Sequence, residues 1–110
     1  MSYSVKFKSE GPCGWVYYSE DEETLRFYWE TTTVGFDLSL PNLEEWIAFC
    51  DKHNARHAKQ RRAEIVQHLV QEISRRQGRG AKISIDDNGI SFSYEGNWFR
   101  SALRKILGLD

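Results

Sequence analysis

The period of the hydrophobic pattern changes along this chain, and that change limits the fold more than any other feature. In the segments 3–8 and 34–40, apolar residues alternate with polar ones, as in strands that bury one face. From Leu43 onward, apolar residues recur every three to four positions, which is the helical period. A sheet followed by helices is typical of an α+β protein.

Strand patterns in the first forty residues predict a four-stranded antiparallel meander. Four segments rich in aromatic and β-branched residues follow one another with short links: 3–8, 15–18, 25–30 and 34–40. Turn residues at 11–14 and a polar link at 19–24 fit this arrangement, because antiparallel neighbours need only short connections.

A second strand pair is predicted near the C-terminus. Apolar alternation continues on both sides of the turn sequence 86–89, and an Asn-Gly pair suits the positive φ angles of a tight hairpin turn. Residues 82–94 therefore predict a β-hairpin with Asn88-Gly89 in its turn. Apolar residues from Trp98 to Leu107 then follow the helical period and predict a short C-terminal helix.

Two helices are predicted between these strand regions. Asn42 followed by Glu45 has the form of a capping box at the start of the first helix. The inward face of this helix is predicted to hold Leu43, Trp46, Ile47 and Cys50. The second helix is predicted over 55–77, with His68 on its outer face. Its inner stripe is predicted to comprise Ala58, Arg62, Ile65, Val66, Leu69, Val70 and Ile73.

A chain of 110 residues fits one domain around one core. We predict a single α+β domain over 1–110: an antiparallel four-stranded meander plus a C-terminal β-hairpin, packed by two central helices and a short C-terminal helix. No apolar run approaches the roughly 20 residues of a membrane span, and two cysteines are too few for a disulfide framework. We therefore expect a cytoplasmic protein with no membrane partner.

Charge is divided unevenly between the two halves of the chain. Residues 1–55 hold 4 Lys/Arg and 10 Asp/Glu, a net charge of −6, whereas residues 56–110 hold 11 and 6, a net charge of +5. The total of −1 hides a polarised molecule. Such a molecule can bind a charged partner, or pair its own halves within one chain or between copies.

The acidic link and nearby tyrosines form the predicted partner-binding set. Acidic strips can occupy a basic surface of another protein, because complementary fields steer association; the alternative is an ordinary solvated loop between strands. The set comprises Tyr18, Glu20, Asp21, Glu22, Glu23 and Tyr28.

The arginine-rich second helix is the alternative site, and its ligand would be nucleic acid. Arg and Lys supply the sequence-independent part of such binding, and the residues are Arg56, Lys59, Arg61, Arg62, Arg75 and Arg76. A pI of about 6.3 and the interruption of the basic stripe by Glu64 and Glu72 disfavour nucleic acid. The same helix can instead be a solvated face paired with local acids.

Aromatic residues exceed what one core needs. The chain has 4 Trp, 5 Tyr and 6 Phe, and the segments 15–18 and 25–30 place rings on both sheet faces. One layer of helices covers only one face. The other face is then solvated, covered by the C-terminal hairpin and helix, or covered by a second copy in a homodimer.

No metal, cofactor or catalytic site is predicted. Cys50, His53 and His57 have ligand-like spacing, with Cys13 as a fourth candidate, but structural zinc sites normally show paired cysteines. The chain has no Gly-rich phosphate loop, nucleophile elbow or His-Glu helix motif. Glu30 and Asp37 lie on predicted strands and are expected to face water.

The sequence thus favours a small non-catalytic, prokaryotic-type protein-binding module. Its expected partner is a protein, including another copy of itself, and its acidic surface would neutralise a basic partner. Two alternatives stay open: a nucleic-acid-binding protein using the Arg-rich helix 56–79, and a small enzyme or ligand carrier with an aromatic-lined pocket.

Overall fold

The computed structural model describes residues 2–77 and 82–93, without the side chains of Arg76 and Gln77. The strands and α-helices in these ranges are β1 (Tyr3–Ser9), β2 (Cys13–Glu20), β3 (Glu23–Thr31), β4 (Gly35–Ser39), α1 (Leu43–Lys52), α2 (Arg62–Gln77), β5 (Lys82–Asp86) and β6 (Gly89–Ser93). A 3₁₀ helix at His57–Gln60 links α1 to α2. The C-terminal helix predicted at 98–107 lies outside the described residues.

The six strands form one antiparallel sheet in the order β1-β2-β3-β4-β6-β5. With two helices beside it, this sheet confirms the α+β class. β1 to β4 pair in chain order. β6 then lies beside β4, with Phe36 opposite Phe92 and Leu38 opposite Ile90, and β5 pairs with the other side of β6. Neither described helix is long and apolar enough to cross a membrane.

One face of the sheet packs against both helices and forms the core. Every second residue of each strand points to this face, because side chains alternate along a strand. Phe27 stacks on Trp46 of α1, and Phe36 stacks on Phe92 with ring centroids 4.6 Å apart. The largest fully buried side chains are Trp29, Phe27, Phe36, Phe92, Leu25, Leu38, Ile65, Leu69, Ile73, Ile90 and Val16.

The start of α1 confirms the predicted capping box. The Glu45 N–H donates to Asn42 Oδ1 at 2.9 Å, and the Asn42 N–H donates to Glu45 Oε1 at 3.4 Å. The predicted inward face is wrong for Leu43 and Ile47, which are 73% and 46% exposed. The orientation of α1 is set by Trp46, whose indole N–H donates to the Ala58 carbonyl at 2.9 Å, and the contact stripe of α1 is narrow.

The second helix begins later than its apolar pattern predicts. Within the predicted range 55–77, His57–Gln60 form the 3₁₀ helix and Arg61 has non-helical backbone angles (φ −122°, ψ 21°), so α2 begins only at Arg62. The inner stripe is nonetheless largely correct, since Ala58, Ile65, Val66, Leu69 and Ile73 are all buried. Buried side chains recur with the predicted period on both sides of the interruption.

The turn between β5 and β6 differs from the predicted one. Asp87 and Asn88 form it, and neither has a positive φ. Gly89 is the first residue of β6, and a Cβ atom there would lie 2.7 Å from the Leu38 carbonyl oxygen. Glycine is therefore required at this position by the close approach of β4 and not by the turn conformation.

Candidate functional site

A buried polar cluster joins β2 to the start of α2. It consists of Tyr18, Glu20, Arg61 and His68, and Tyr18 and Glu20 are 2% and 8% exposed. Arg61 Nη1 lies 2.9 Å from Glu20 Oε1. The Tyr18 hydroxyl oxygen lies 2.8 Å from Glu20 Oε1 and 2.7 Å from His68 Nδ1. Sheet and helix are thus connected by a continuous chain of polar contacts.

The proton positions in the polar cluster follow from the charge of Glu20. Burial opposes ionisation of Glu20, but hydrogen bonds from Arg61 and Tyr18 and the positive charge of Arg61 outweigh it and hold its pKa below the usual range. The ionised carboxylate must accept from Tyr18, so the Tyr18 oxygen accepts from His68 Nδ1–H. Burial, followed by the bond to Glu20, raises the pKa of Tyr18 far above its ordinary range.

The space beside the polar cluster is too small for a substrate. The cavity lined by Glu20, His57, Arg61 and neighbouring residues has a volume of about 10 Å³, roughly what one water molecule requires. The His68 ring is also covered by Tyr3, with centroids 4.0 Å apart and planes at 4°. The polar cluster is therefore a structural connection between sheet and helix.

The predicted acidic link is a tight turn, and only two of its residues lie outside the pairing of β2 with β3. Asp21 and Glu22 connect β2 to β3 with left-handed φ angles of 52° and 69°, and both are exposed. Glu20 and Glu23 are opposite each other in the strands. Glu23 Oε2 accepts the His57 N–H at 2.9 Å, so Glu20 and Glu23 contact the basic half of the chain while Asp21 and Glu22 face solvent.

We expect replacement of Glu22 with glycine to stabilise the fold by about 1 kcal/mol. A left-handed conformation costs a non-glycine residue roughly 1–2 kcal/mol, and glycine avoids that cost while losing more backbone entropy on folding. Urea unfolding at neutral pH measures the difference. Glu22→Ala is the control, because it removes the charge and keeps the strain; equal stabilisation by both variants would contradict the backbone explanation.

Most residues of the predicted nucleic-acid set are engaged within the chain. Arg61 pairs with Glu20 and Glu64. Lys59 pairs with Asp51, and Arg75 pairs with Glu72. The Arg62 guanidinium donates to the carbonyl oxygens of Pro41 and Asp87. Arg56 is exposed, and the Arg76 side chain is outside the described set. Two of these ion pairs, Arg61–Glu20 and Lys59–Asp51, join the basic half of the chain to the acidic half.

The sheet face turned away from α1 and α2, here called the open face, carries ordered bands of side chains. Cross-strand register aligns two rows over β1, β2 and β3. The cationic row is Lys6, Tyr17 and Arg26. The aromatic row is Lys8, Trp15 and Tyr28. The three rings are half-buried and the three cations are exposed.

Contacts within these two rows hold the rings in place. Trp15 and Tyr28 meet edge to face, with centroids 5.5 Å apart. The Arg26 guanidinium lies 4.1 Å from the centroid of Trp15, which is cation–π geometry. A hydrogen bond with the Cys13 thiol raises the pKa of Tyr28. The open face is therefore an ordered surface of aromatic and cationic groups.

An acidic row follows on the same face. Glu30 is opposite Cys13 of β2 and opposite Asp37 of β4. Carboxylates directly opposite each other on one face of a sheet repel. Within residues 2–77 and 82–93, neither Glu30 nor Asp37 has a cation within ion-pair distance. This pair of acids is thus available to a cation from outside the described fold.

A notch interrupts the sheet beside the aromatic row. β4 pairs with β3 only at residues 29–31 of β3, so in the described fold the segment 23–28 has no strand on that side. The opening has a volume of about 390 Å³, and its lining includes Trp15, Tyr28, Pro41 and Phe49. The notch makes the aromatic surface partly concave.

The cysteines and histidines near α1 are not brought together. Cys13 and Cys50 are free, and burial raises the pKa of the Cys50 thiol to about 11. His53 Nδ1 lies 2.8 Å from the Phe49 carbonyl oxygen and donates to it. Among the described residues, no three His, Cys, Asp or Glu side chains are grouped as metal ligands would be.

No protein-family model, curated protein or solved structure matches this chain. Its function is therefore inferred from its own residues. Within the predicted partner-binding set, Tyr18 and Glu20 are buried in the polar cluster, Asp21 and Glu22 are exposed at the turn, and Tyr28 lies on the open face. The set thus divides among separate places in the fold.

The alternation along β3 predicts that Arg26, Tyr28 and Glu30 share one strand face, and the structure places all three on the open face. Sequence reasoning missed the cross-strand register, which sets Trp15 beside Tyr28 and Asp37 beside Glu30. The helical period also placed His68 on the solvent side of α2. The contact of His68 with Tyr18, fifty positions earlier, has no local signal in the sequence.

Proposed function

We propose that this chain is a non-catalytic protein-binding module and that the open face is its interaction surface. The observation that carries this proposal is the ordered band of rings and charges on a face that α1 and α2 leave uncovered. Trp, Tyr and Arg are the residues that dominate protein interfaces, because they combine large contact area with polar groups. Trp15, Tyr28 and Arg26 occupy the centre of this face.

The acidic row supports a partner that presents basic side chains. Glu30 and Asp37 stand directly opposite each other, an unfavourable placement for like charges, so a lysine or arginine between them would be stabilising. Asp21 and Glu22 add two exposed carboxylates at the β2–β3 turn. The left-handed backbone conformation of this turn costs more free energy for Asp-Glu than for Asn-Gly. The presence of two acids despite that cost fits a role for their charge.

Single-stranded nucleic acid is a second candidate, and one observation favours it. Lys6, Lys8 and Arg26 lie in the same rows as the half-buried rings of the open face, as in platforms on which bases stack. Two features oppose it: Arg26 already covers Trp15, and the acidic row would repel phosphates. A small-ligand role would use the notch, whose volume of about 390 Å³ falls within the range of ligand pockets.

Site-specific photo-crosslinking separates these candidates. We expect a benzoyl-phenylalanine introduced in place of Tyr28 to crosslink to protein in cells, because the ring position is at the centre of the proposed interface. The same residue in place of Gln67, exposed on α2, is the matched control. Denaturing electrophoresis with mass spectrometry identifies the crosslinked species.

The outcomes of that experiment are distinct. Protein adducts at position 28 and none at position 67 support a protein-binding face. Adducts that disappear on nuclease treatment would replace the proposal with the nucleic-acid candidate. An absence of any adduct at position 28, with the variant folded by circular dichroism, would overturn the open face as an interaction surface.

A further inference from the structure

The rows on the open face are arranged as an ordered charge sequence along β3. Arg26, Tyr28 and Glu30 follow at intervals of two residues on one side of the strand, so neighbouring rows are about 7 Å apart. The aromatic row therefore has a cation on one side and an anion on the other. When two copies of this strand face each other in opposite directions, the cation of each copy therefore faces the anion of the other.

We infer that the open face binds a second copy of this chain, face to face, about a two-fold axis crossing the strands at the aromatic row. This inference rests on the proposed function and names its partner. The axis reverses the strand direction, so Arg26 lies over Glu30 of the partner subunit and Glu30 over Arg26 of the partner subunit. Each contact occurs twice, as in every isologous interface.

The packing requirements of two sheets are met by this arrangement. Facing sheets lie about 10 Å apart with strands nearly aligned, and Trp15 and Tyr28 are large enough to fill that space around the axis. Arg26 also reaches the acidic pair, because Asp37 is the direct neighbour of Glu30. The dimer thereby supplies the cation that the acidic row lacks in the described fold.

One residue on the aromatic row would meet its own copy unfavourably. Lys8 lies at this level on the edge strand β1. Because it is exposed there and has a long flexible stem, its ammonium can turn outward into solvent. The like-charge contact is therefore avoidable at Lys8, whereas the Arg26 and Glu30 contacts are central.

Charge reversal tests the two-fold arrangement directly. In Arg26→Glu alone, the introduced carboxylate faces another carboxylate, and in Glu30→Arg alone, the introduced guanidinium faces another guanidinium. We expect either change to weaken dimerisation at least about tenfold, because juxtaposed like charges are costly in an interface. An equimolar mixture of the two variants, and the double variant R26E/E30R, restore opposite charges.

Sedimentation velocity measures the fraction of dimer over roughly 1–100 µM protein, the range in which a modest interface associates. We expect wild type, the mixture and the double variant to dimerise, and each single variant to remain monomeric at concentrations where wild type is dimeric. Lys52→Glu, a charge reversal at an exposed site on α1, is the control and leaves association unchanged. Circular dichroism verifies that all variants are folded.

Two results would overturn this inference. A wild type that is monomeric throughout the range excludes the dimer, while photo-crosslinks from position 28 to a different protein would leave the proposed function intact. Single variants that fail to dimerise without rescue in the mixture would exclude the two-fold register.

Discussion

Replacing Trp29 with alanine is expected to destabilise the fold by about 3–5 kcal/mol, the range for large aromatic residues removed from a core. The Trp29 side chain is fully buried. Its ring lies against Gly14 of β2, where a Cβ atom would be 3.0 Å from two of the ring atoms, and it contacts Phe36 edge to face. Urea unfolding at neutral pH measures the loss.

Trp29→Phe is the matched comparison for that experiment. The Trp29 indole N–H is buried and has no hydrogen-bond partner among the described residues, and an unsatisfied buried donor costs about 1–3 kcal/mol. Phenylalanine removes this donor and leaves a small void, so we expect a net change within about 1 kcal/mol. A loss as large as that of the alanine variant would show that the indole itself is indispensable.

The core around Trp29 was largely predictable because it depends on local periodicity. Leu25, Phe27 and Trp29 alternate on one strand and are all buried, as the period of two requires. The capping box at Asn42 was predictable for the same reason, since both of its partners lie within one turn of helix. Features decided within a few residues of each other are readable from sequence.

Features decided by distant contacts were not predictable in this way. The need for glycine at position 89 arises from the Leu38 carbonyl on a strand far away in sequence. Likewise, Leu43 and Ile47 match the helical period but are exposed, because the direction from which the sheet meets α1 is a tertiary property. The open face needed the cross-strand register, which sets Glu30 opposite Asp37.

The polar cluster combines both kinds of information. The charge division of the chain predicted that its halves would attract, either within one chain or between copies. It did not identify which acid meets which base. The structure selects Glu20 and Arg61, forty-one positions apart, because the β2–β3 hairpin brings the end of β2 against the start of α2.

Replacing Glu20 with alanine is expected to destabilise the fold by about 3 kcal/mol, because the buried Tyr18 hydroxyl loses its acceptor and the Arg61 guanidinium keeps only its exposed partner Glu64. The Glu20 side chain is 6% exposed and accepts from both Arg61 and Tyr18. Glu64→Ala is the matched control, since Glu64 contacts the same guanidinium at 2.8 Å but is 51% exposed. Solvent screens that exposed pair, so we expect a much smaller loss.

The same carboxylate predicts how stability depends on pH. Because the folded pKa of Glu20 is held below its ordinary value of 4.5, the folded state binds this proton less readily than the unfolded state does. Its contribution to stability is therefore complete above that value and is lost as the pH falls through the folded pKa.

Urea unfolding from pH 7 down to pH 3 should show wild type losing stability more steeply than Glu20→Gln, which cannot titrate. Glu64 also titrates in this range with a lowered pKa, through its hydrogen bond from Arg61, so Glu64→Gln run in parallel isolates the share of Glu20. If the free energy of unfolding falls equally steeply with pH in wild type and in Glu20→Gln, the buried pair does not govern the acid stability of this fold.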